Sequence, residues 1–278
     1  MRGTLTIGRL TWLEARRRKI ALAAVICGLV FLAVYATAAF FAHRSVAQGA
    51  VSIVEQRIMF QTLFQAGLYV VNFLVIACAV LLPVDTLSGE IASGVVQTLA
   101  SKPIDRAAIV LGKALTYWLM TGAYLLLMAG GIVLSVWWAA GTLPGHLLTA
   151  FVLMWLGATV MIAITILGGT RLTTIANGIV AFALFGIAFI GGWVEQIATV
   201  LRNDAVRYVG TAISLVSPAD SMYRRAVHEL QPSGGGLTVQ LSPFTPVSVP
   251  SIAMIVWAVA FVVLTMLIAI RTFRHRPL

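Results

Sequence analysis

Charge is scarce in this 278-residue chain. Asp, Glu, Lys and Arg together make up 10% of it, and only 9 residues are acidic. Ordinary globular chains are roughly a quarter charged. With 60% hydrophobic residues, a soluble fold of this length could not hide its apolar surface in one core. The bilayer must therefore be the solvent for most of the chain. Cysteine is almost missing too. Cys27 and Cys78 stand singly in apolar runs, outside any CxxC pattern. That excludes a disulfide framework, and both read as small core hydrophobes. The 4 histidines, His43, His146, His228 and His275, fall in different segments, and no HExxH is present. A zinc site is not expected from them.

Catalytic and ion-coupling devices are also lacking. Gly112-Lys113 has the last pair of a Walker A motif, but Ala107 stands where its first glycine belongs and Ala114 follows the lysine. Nucleotide binding by that loop is excluded. Intramembrane proteolysis needs a buried base, and proton-coupled transport usually needs a carboxylate or histidine within the spans. The apolar runs offer neither. Asn72, polar in mid-span, reads as an interhelical hydrogen bond rather than a substrate contact. Met154 and Met161, seven apart on one helix face, read as core packing.

What the chain does have is six apolar runs, each long enough to cross the hydrocarbon as a helix. They cover residues 20–41, 66–84, 115–138, 147–168, 175–193 and 251–270, and none contains Asp, Glu, Lys or Arg. The first is too long, and starts too late, for a cleavable signal peptide. Six spans put both termini on one side. Of the 19 basic residues, 13 then share a side with the termini and 6 face the other. That bias places both termini in the cytoplasm. It also accounts for the formal charge of +10. Lys and Arg gather at span ends and form no stripe with interleaved aromatics, so nucleic acid is excluded as a partner. Trp137, Trp138 and Trp193 sit at outer span ends, where indole prefers the interface. Gly130, Gly131, Gly168, Gly169, Gly186, Gly191 and Gly192 offer sites for close helix approach, or simply reflect the abundance of glycine in membrane helices.

Three segments lie outside the spans. Residues 1–19 form an interfacial amphipathic helix, with Leu5, Ile7, Leu10 and Leu13 toward one side, Trp12 at its edge, and Arg9, Arg16 and Arg17 elsewhere. Residues 85–113 form an inner loop. There Asp85 can cap a short helix and Gly94 can break it. Val95, Val96, Leu99 and Ala100 then give a short apolar face, and Lys102-Pro103 stops it. Asp105 is the N-cap of the helix that leads into the third span. An apolar face on a cytoplasmic loop calls for a partner. In that setting Glu90 reads as a rim charge. Residues 195–250 form an outer loop with folded content. Ile197, Val200, Leu201, Val206, Val209 and Ile213 recur at near-helical spacing. Asp220 can cap a second helix whose Tyr223, Val227 and Leu230 share a face. Residues 231–236 read as a linker, and Leu237, Val239 and Leu241 alternate like a short strand. Part of this loop is expected to dip back into the membrane.

The stretch from Asp85 to Lys113 resembles a signature of ABC-2-type transporter permeases. Its marks are Asp85, Gly89-Glu90, Gly94, Ser101-Lys102-Pro103, Arg106 and Gly112-Lys113. The six-span layout, the N-terminal helix with Glu14 among arginines and the basic end Arg271-Thr-Phe-Arg-His-Arg match as well. The Ser217-Pro218-Ala219-Asp220 region is similar to the branch containing the permease of the nitrous-oxide-reductase maturation transporter. Ala92 replaces a further acidic residue that the family often has, and Gly94-Val95-Val96 replaces Gly-Thr-Leu.

The resemblance implies an all-α polytopic membrane protein, with residues 1–278 as one permease domain in a bacterial inner membrane. It implies the transmembrane, non-catalytic subunit of an ATP-driven exporter. Two permease chains, expected to be two copies of this one, would line the path. Separate ABC ATPase subunits would bind Mg-ATP, and this chain would hold no cofactor. Asp85, Glu90, Gly94, Val95, Val96, Leu99, Pro103 and Arg106 would form the ATPase-coupling segment. Leu10, Trp12, Leu13, Glu14 and Arg17 would belong to the interfacial helix, against membrane lipid. The alternative is a membrane scaffold or assembly factor that docks a soluble cytoplasmic protein on the same helix.

The orientation is testable in intact cells. Single cysteines at Ser233 and Ser93, with Cys27 and Cys78 replaced, should label oppositely with an impermeant thiol reagent. Ser233→Cys should react and Ser93→Cys should be spared; the reverse pattern would overturn the assignment.

Overall fold

A computed structural model describes residues 2–17, 19–49, 52–92, 105–142, 144–231 and 244–275. In chain order the helices are α1 (Arg2–Arg17), α2 (Lys19–Ala47), α3 (Ile53–Leu81), α4 (Ser88–Ala92) and α5 (Arg106–Ala140). They continue with α6 (Leu147–Gly169), α7 (Thr174–Val200), α8 (Asp204–Val216), α9 (Ala219–Glu229) and α10 (Ile252–His275). Six of them, α2, α3, α5, α6, α7 and α10, are long and apolar enough to span a bilayer. The protein is an all-helical, multi-pass membrane protein.

Several spans overrun the expected apolar runs. At 29 residues, α3 is roughly 43 Å long, against about 30 Å of hydrocarbon. It begins at Ile53 because Ser52 caps it. The Glu55 amide donates to Ser52 Oγ while the Glu55 carboxylate accepts from the Ser52 amide, a reciprocal capping box. Likewise α5 begins at Arg106, behind the N-cap Asp105 predicted from sequence. The helices therefore carry charges, such as Lys113 and Glu195, that the apolar runs did not include.

The core is built where α3, α5, α6 and α7 meet, around Leu68, Val75, Tyr117, Met128, Met154 and Met161, all buried. Asn72 and Cys78 are buried there too, whereas Cys27 is exposed. That departs from the expectation, because α2 is peripheral and buries little beyond Gly28, Tyr35 and Ala39.

Both termini lie on one face, here the terminal face. Thr116 Oγ1 near the start of α5 donates to the Gly8 carbonyl of α1, and Arg274 at the end of α10 pairs with Asp105. On the opposite face, His43 Nδ1 donates to the Ala139 carbonyl at 2.8 Å.

The connection from α7 to α10 folds back among the spans. After α7 the chain reverses at Arg202, whose φ is 53°, and Asn203 caps α8. Helix α8 returns along α7 in close contact. A Cβ on Gly191 would lie 2.5 Å from Ile213, and one on Gly210 2.7 Å from the Glu195 amide. A turn at Ser217-Pro218 starts α9, which packs on α6. A Cβ on Gly157, near the middle of α6, would lie 2.9 Å from the Ala219 carbonyl oxygen. The bottom of the α8–α9 hairpin thus reaches the mid-depth of a span.

Sequence spacing anticipated two helices here, with two differences. The run from Ile197 to Ile213 is split, because Ile197 and Val200 finish α7. Pro218, not Asp220, occupies the N-cap of α9. Tyr223, Val227 and Leu230 are buried as expected. The alternation from Leu237 to Leu241, and most of the 231–236 linker, lie outside the described residues. Among the candidate glycines, Gly131, Gly168, Gly169, Gly191 and Gly192 are closely approached, while Gly130 and Gly186 face open space.

If the hairpin depends on the gap at Gly157, Gly157→Leu should overpack it and cost about 1–3 kcal/mol. The purified variant should melt lower than wild type, whereas Gly130→Leu should not. Equal melting temperatures for all three would contradict the packing described.

Candidate functional site

The terminal face gathers most of the signature residues. After α3 the chain turns at Pro83, and Thr86, Leu87 and Ser88 are all buried. This stretch is built into the bundle and is not a loose connector. Thr174 Oγ1, at the start of α7, donates to Asp85 Oδ1 at 2.7 Å and lies 2.9 Å from Ser88 Oγ. Asn177 Nδ2 donates to the carbonyls of Val84 and Thr165 at 3.1 and 2.9 Å, so one amide ties the loop to both α6 and α7. Thr86 Oγ1 and the Tyr117 hydroxyl share a hydrogen bond. Gly89 follows from the same crowding, since a Cβ there would meet the Asp85 carboxylate.

The Gly112-Lys113 pair does two jobs. A Cβ on Gly112 would sit 2.7 Å from the Thr4 carbonyl oxygen of α1, so glycine is what lets α1 lie against α5. Lys113 is buried, its side chain 3% exposed. Its ammonium donates to Glu90 Oε1 at 2.5 Å and to the Thr86 carbonyl at 3.2 Å. Glu90 is therefore not a rim charge. It faces inward, its side chain 16% exposed, and ties α4 to α5. The sequence reading missed the pairing because its two members stand 23 residues apart.

The far end of the loop is also anchored. Asp105 Oδ1 accepts from the Ala107 amide at 3.0 Å, and Arg274 Nη2 donates to both carboxylate oxygens at 3.1 and 2.9 Å. The Ala107 amide, with Arg274 beside it, holds the Asp105 carboxyl below its usual range. Arg106 Nη1 donates to the Arg274 and Phe273 carbonyls at 3.1 and 3.4 Å. That places a cation on the negative end of the α10 dipole. Gly94, Val95, Val96, Leu99 and Pro103 lie outside the described residues.

Helix α1 forms as expected, and one side of it is buried against the bundle. Ile7, Thr11 and Ala15 pack inward, while Leu10, Trp12 and Leu13 are 55%, 39% and 48% exposed and Glu14 is exposed. The Gly8–Gly112 approach lays the small-residue side of α1 on α5, and Leu10, Trp12 and Leu13 stay outside the bundle. The side chains of Leu5 and Arg17 lie outside the described set.

One polar cluster was not anticipated. Arg224 of α9 is buried and donates to Asp220 Oδ2 and Glu195 Oε2, each at 3.0 Å, and to Ser221 Oγ at 3.2 Å. Ser248 Oγ donates to Glu195 Oε1 at 2.7 Å. These bonds fasten the α8–α9 hairpin to the end of α7 and to the stretch just before α10. The i,i+4 spacing of Asp220 and Arg224 was the available signal. Arg224 was counted only as one of the 6 basic residues on the side away from the termini, which says nothing of its partners.

A family model described as ABC-2 family transporter protein matches residues 5–276, and the chain belongs to that family. It is the transmembrane permease component of an ABC transporter, and permeases of this family typically work with separate ABC ATPases. No curated protein matches the sequence significantly.

Breaking the Glu90–Lys113 pair from one side should be costly, because it strands a buried ammonium. Glu90→Gln is expected to destabilise the protein by about 3–5 kcal/mol. The double variant Glu90→Gln/Lys113→Met should recover most of that, since both partners are then neutral. Thermal unfolding of the three proteins is the measurement. A single variant as stable as wild type would mean that the pair is solvated.

Proposed function

We propose that the chain is the membrane subunit of an ATP-driven exporter in a bacterial inner membrane. Two copies line the path, and their terminal faces meet separate ATPase subunits in the cytoplasm. The segment between α4 and α5, residues 93–104, is the coupling element. The observation that carries this reading is the anchoring of both its ends. At the α4 end, Asp85 and Glu90 tie to α7 and α5. At the α5 end, Asp105 and Arg106 tie to the end of α10. A force applied to residues 93–104 would pass into three spans without loss in a flexible hinge. The chain also lacks a Walker motif of its own, so the force must come from a partner. The Ser217-Pro218-Ala219-Asp220 turn at the base of the hairpin supports kinship with the nitrous-oxide-reductase maturation branch. The basic bias toward the terminal face supports the orientation.

Leu99→Asp tests the coupling role. A charge placed in an apolar docking cleft should weaken docking by about several kcal/mol, while the six spans stay intact. Expected is normal membrane abundance with loss of ATPase binding, or of transport-coupled ATP hydrolysis. Unchanged binding and transport would remove residues 93–104 from the coupling role.

A further inference from the structure

On the face opposite the termini, a cavity of about 460 Å³ opens between the first turns of α3, the end of α5 and the end of α9. That is the size range of small-molecule sites. It lies within one chain, away from the terminal face. Its floor is apolar: Phe60, Phe64, Leu68 and Val136 are buried side chains. Its α3 wall is polar. Arg57, Gln61 and Gln65 are spaced four apart, so they share one helix face and all border the cavity. Gln65 is 3% exposed and its Oε1 accepts from Thr245 Oγ1 at 3.0 Å. Gln61 Nε2 is buried with no hydrogen-bond partner among the described residues. An orphaned buried amide donor is costly and calls for an acceptor.

The charge of the site is one-signed. Among the described residues no Asp or Glu lines the cavity and no carboxylate forms an ion pair with Arg57. The neighbouring Glu55 carboxylate is occupied by Ser52. Depth fits as well. Helix α3 outruns the hydrocarbon by roughly 13 Å, and its polar first turns mark that overrun. Arg57 then stands at headgroup level, with Gln61 and Gln65 one and two turns deeper and the phenylalanines beside them.

We propose that this cavity binds an anionic, phosphate-headed lipid. The guanidinium of Arg57 and the amide of Gln61 donate to the headgroup, and Phe60, Phe64 and Leu68 cover the upper acyl chain. The site is independent of the coupling reading, because it needs neither the ATPase nor residues 93–104.

The test uses the full chain in nanodiscs of phosphatidylcholine, titrated with fluorescent phosphatidylglycerol. Phosphatidylglycerol should bind about tenfold more tightly than the matching phosphatidylcholine probe, as expected for a charge-assisted hydrogen bond. Arg57→Gln should abolish that preference, and Arg44→Gln, on the same face outside the cavity, should keep it. Gln61→Leu should weaken phosphatidylglycerol without lowering the melting temperature, since it removes a donor that has no partner among the described residues. Ala140→Trp should block the cavity from the α5 side. Inorganic phosphate should not displace the lipid. Equal binding of the two lipids, an unchanged Arg57→Gln, or displacement by phosphate alone would overturn the proposal. So would a Gln61→Leu whose binding and stability fall together.

Discussion

Lys113 carries its charge into a part of the bundle that water does not reach, and Glu90 is the carboxylate that answers it. An ammonium there cannot stand alone, since the desolvation cost of an unpaired ion is several kcal/mol. The pair therefore dictates where the chain goes after α3. Residues 85–92 must fold back over α5 rather than run out into solvent. Once they do, Asp85 meets Thr174, Thr86 meets Tyr117, and Asn177 closes the gap to α6. The same helix end carries Gly112, which admits α1 from the other side. One turn of α5 thus organises the whole terminal face.

The opposite half of the molecule obeys the same rule with different residues. A hairpin can return into the apolar interior only if its polar atoms are satisfied there. Arg224 does this by bridging Asp220 and Glu195, with serines completing the shell. Glycines on α6, α7 and α8 provide the space. At each end, then, a buried cation fixes a non-spanning segment against the spans.

Much of this was legible in the sequence, and for physical reasons. Apolar runs report the hydrocarbon directly, so the six spans emerge from length alone. Asp105 before a helix with no competing cap fixes the start of α5. The helices of the 195–250 segment showed in their periodicity. What stayed hidden depends on pairing across the bundle. Glu90 and Lys113, or Glu195 and Arg224, are ordinary loop charges until the fold brings them together. The side of α1 that packs on α5 did not show in the sequence, because Gly8, Thr11 and Ala15 give no strong apolar signal.

The central claim is that residues 93–104 receive force from a nucleotide-driven partner. The most direct measurement places a photo-crosslinking amino acid at position 99 of the full chain in living cells and identifies the adduct by mass spectrometry. The account predicts an adduct with a Walker-motif ATPase. Adducts only with lipid, with a second copy of this chain, or with a protein that binds no nucleotide would contradict it.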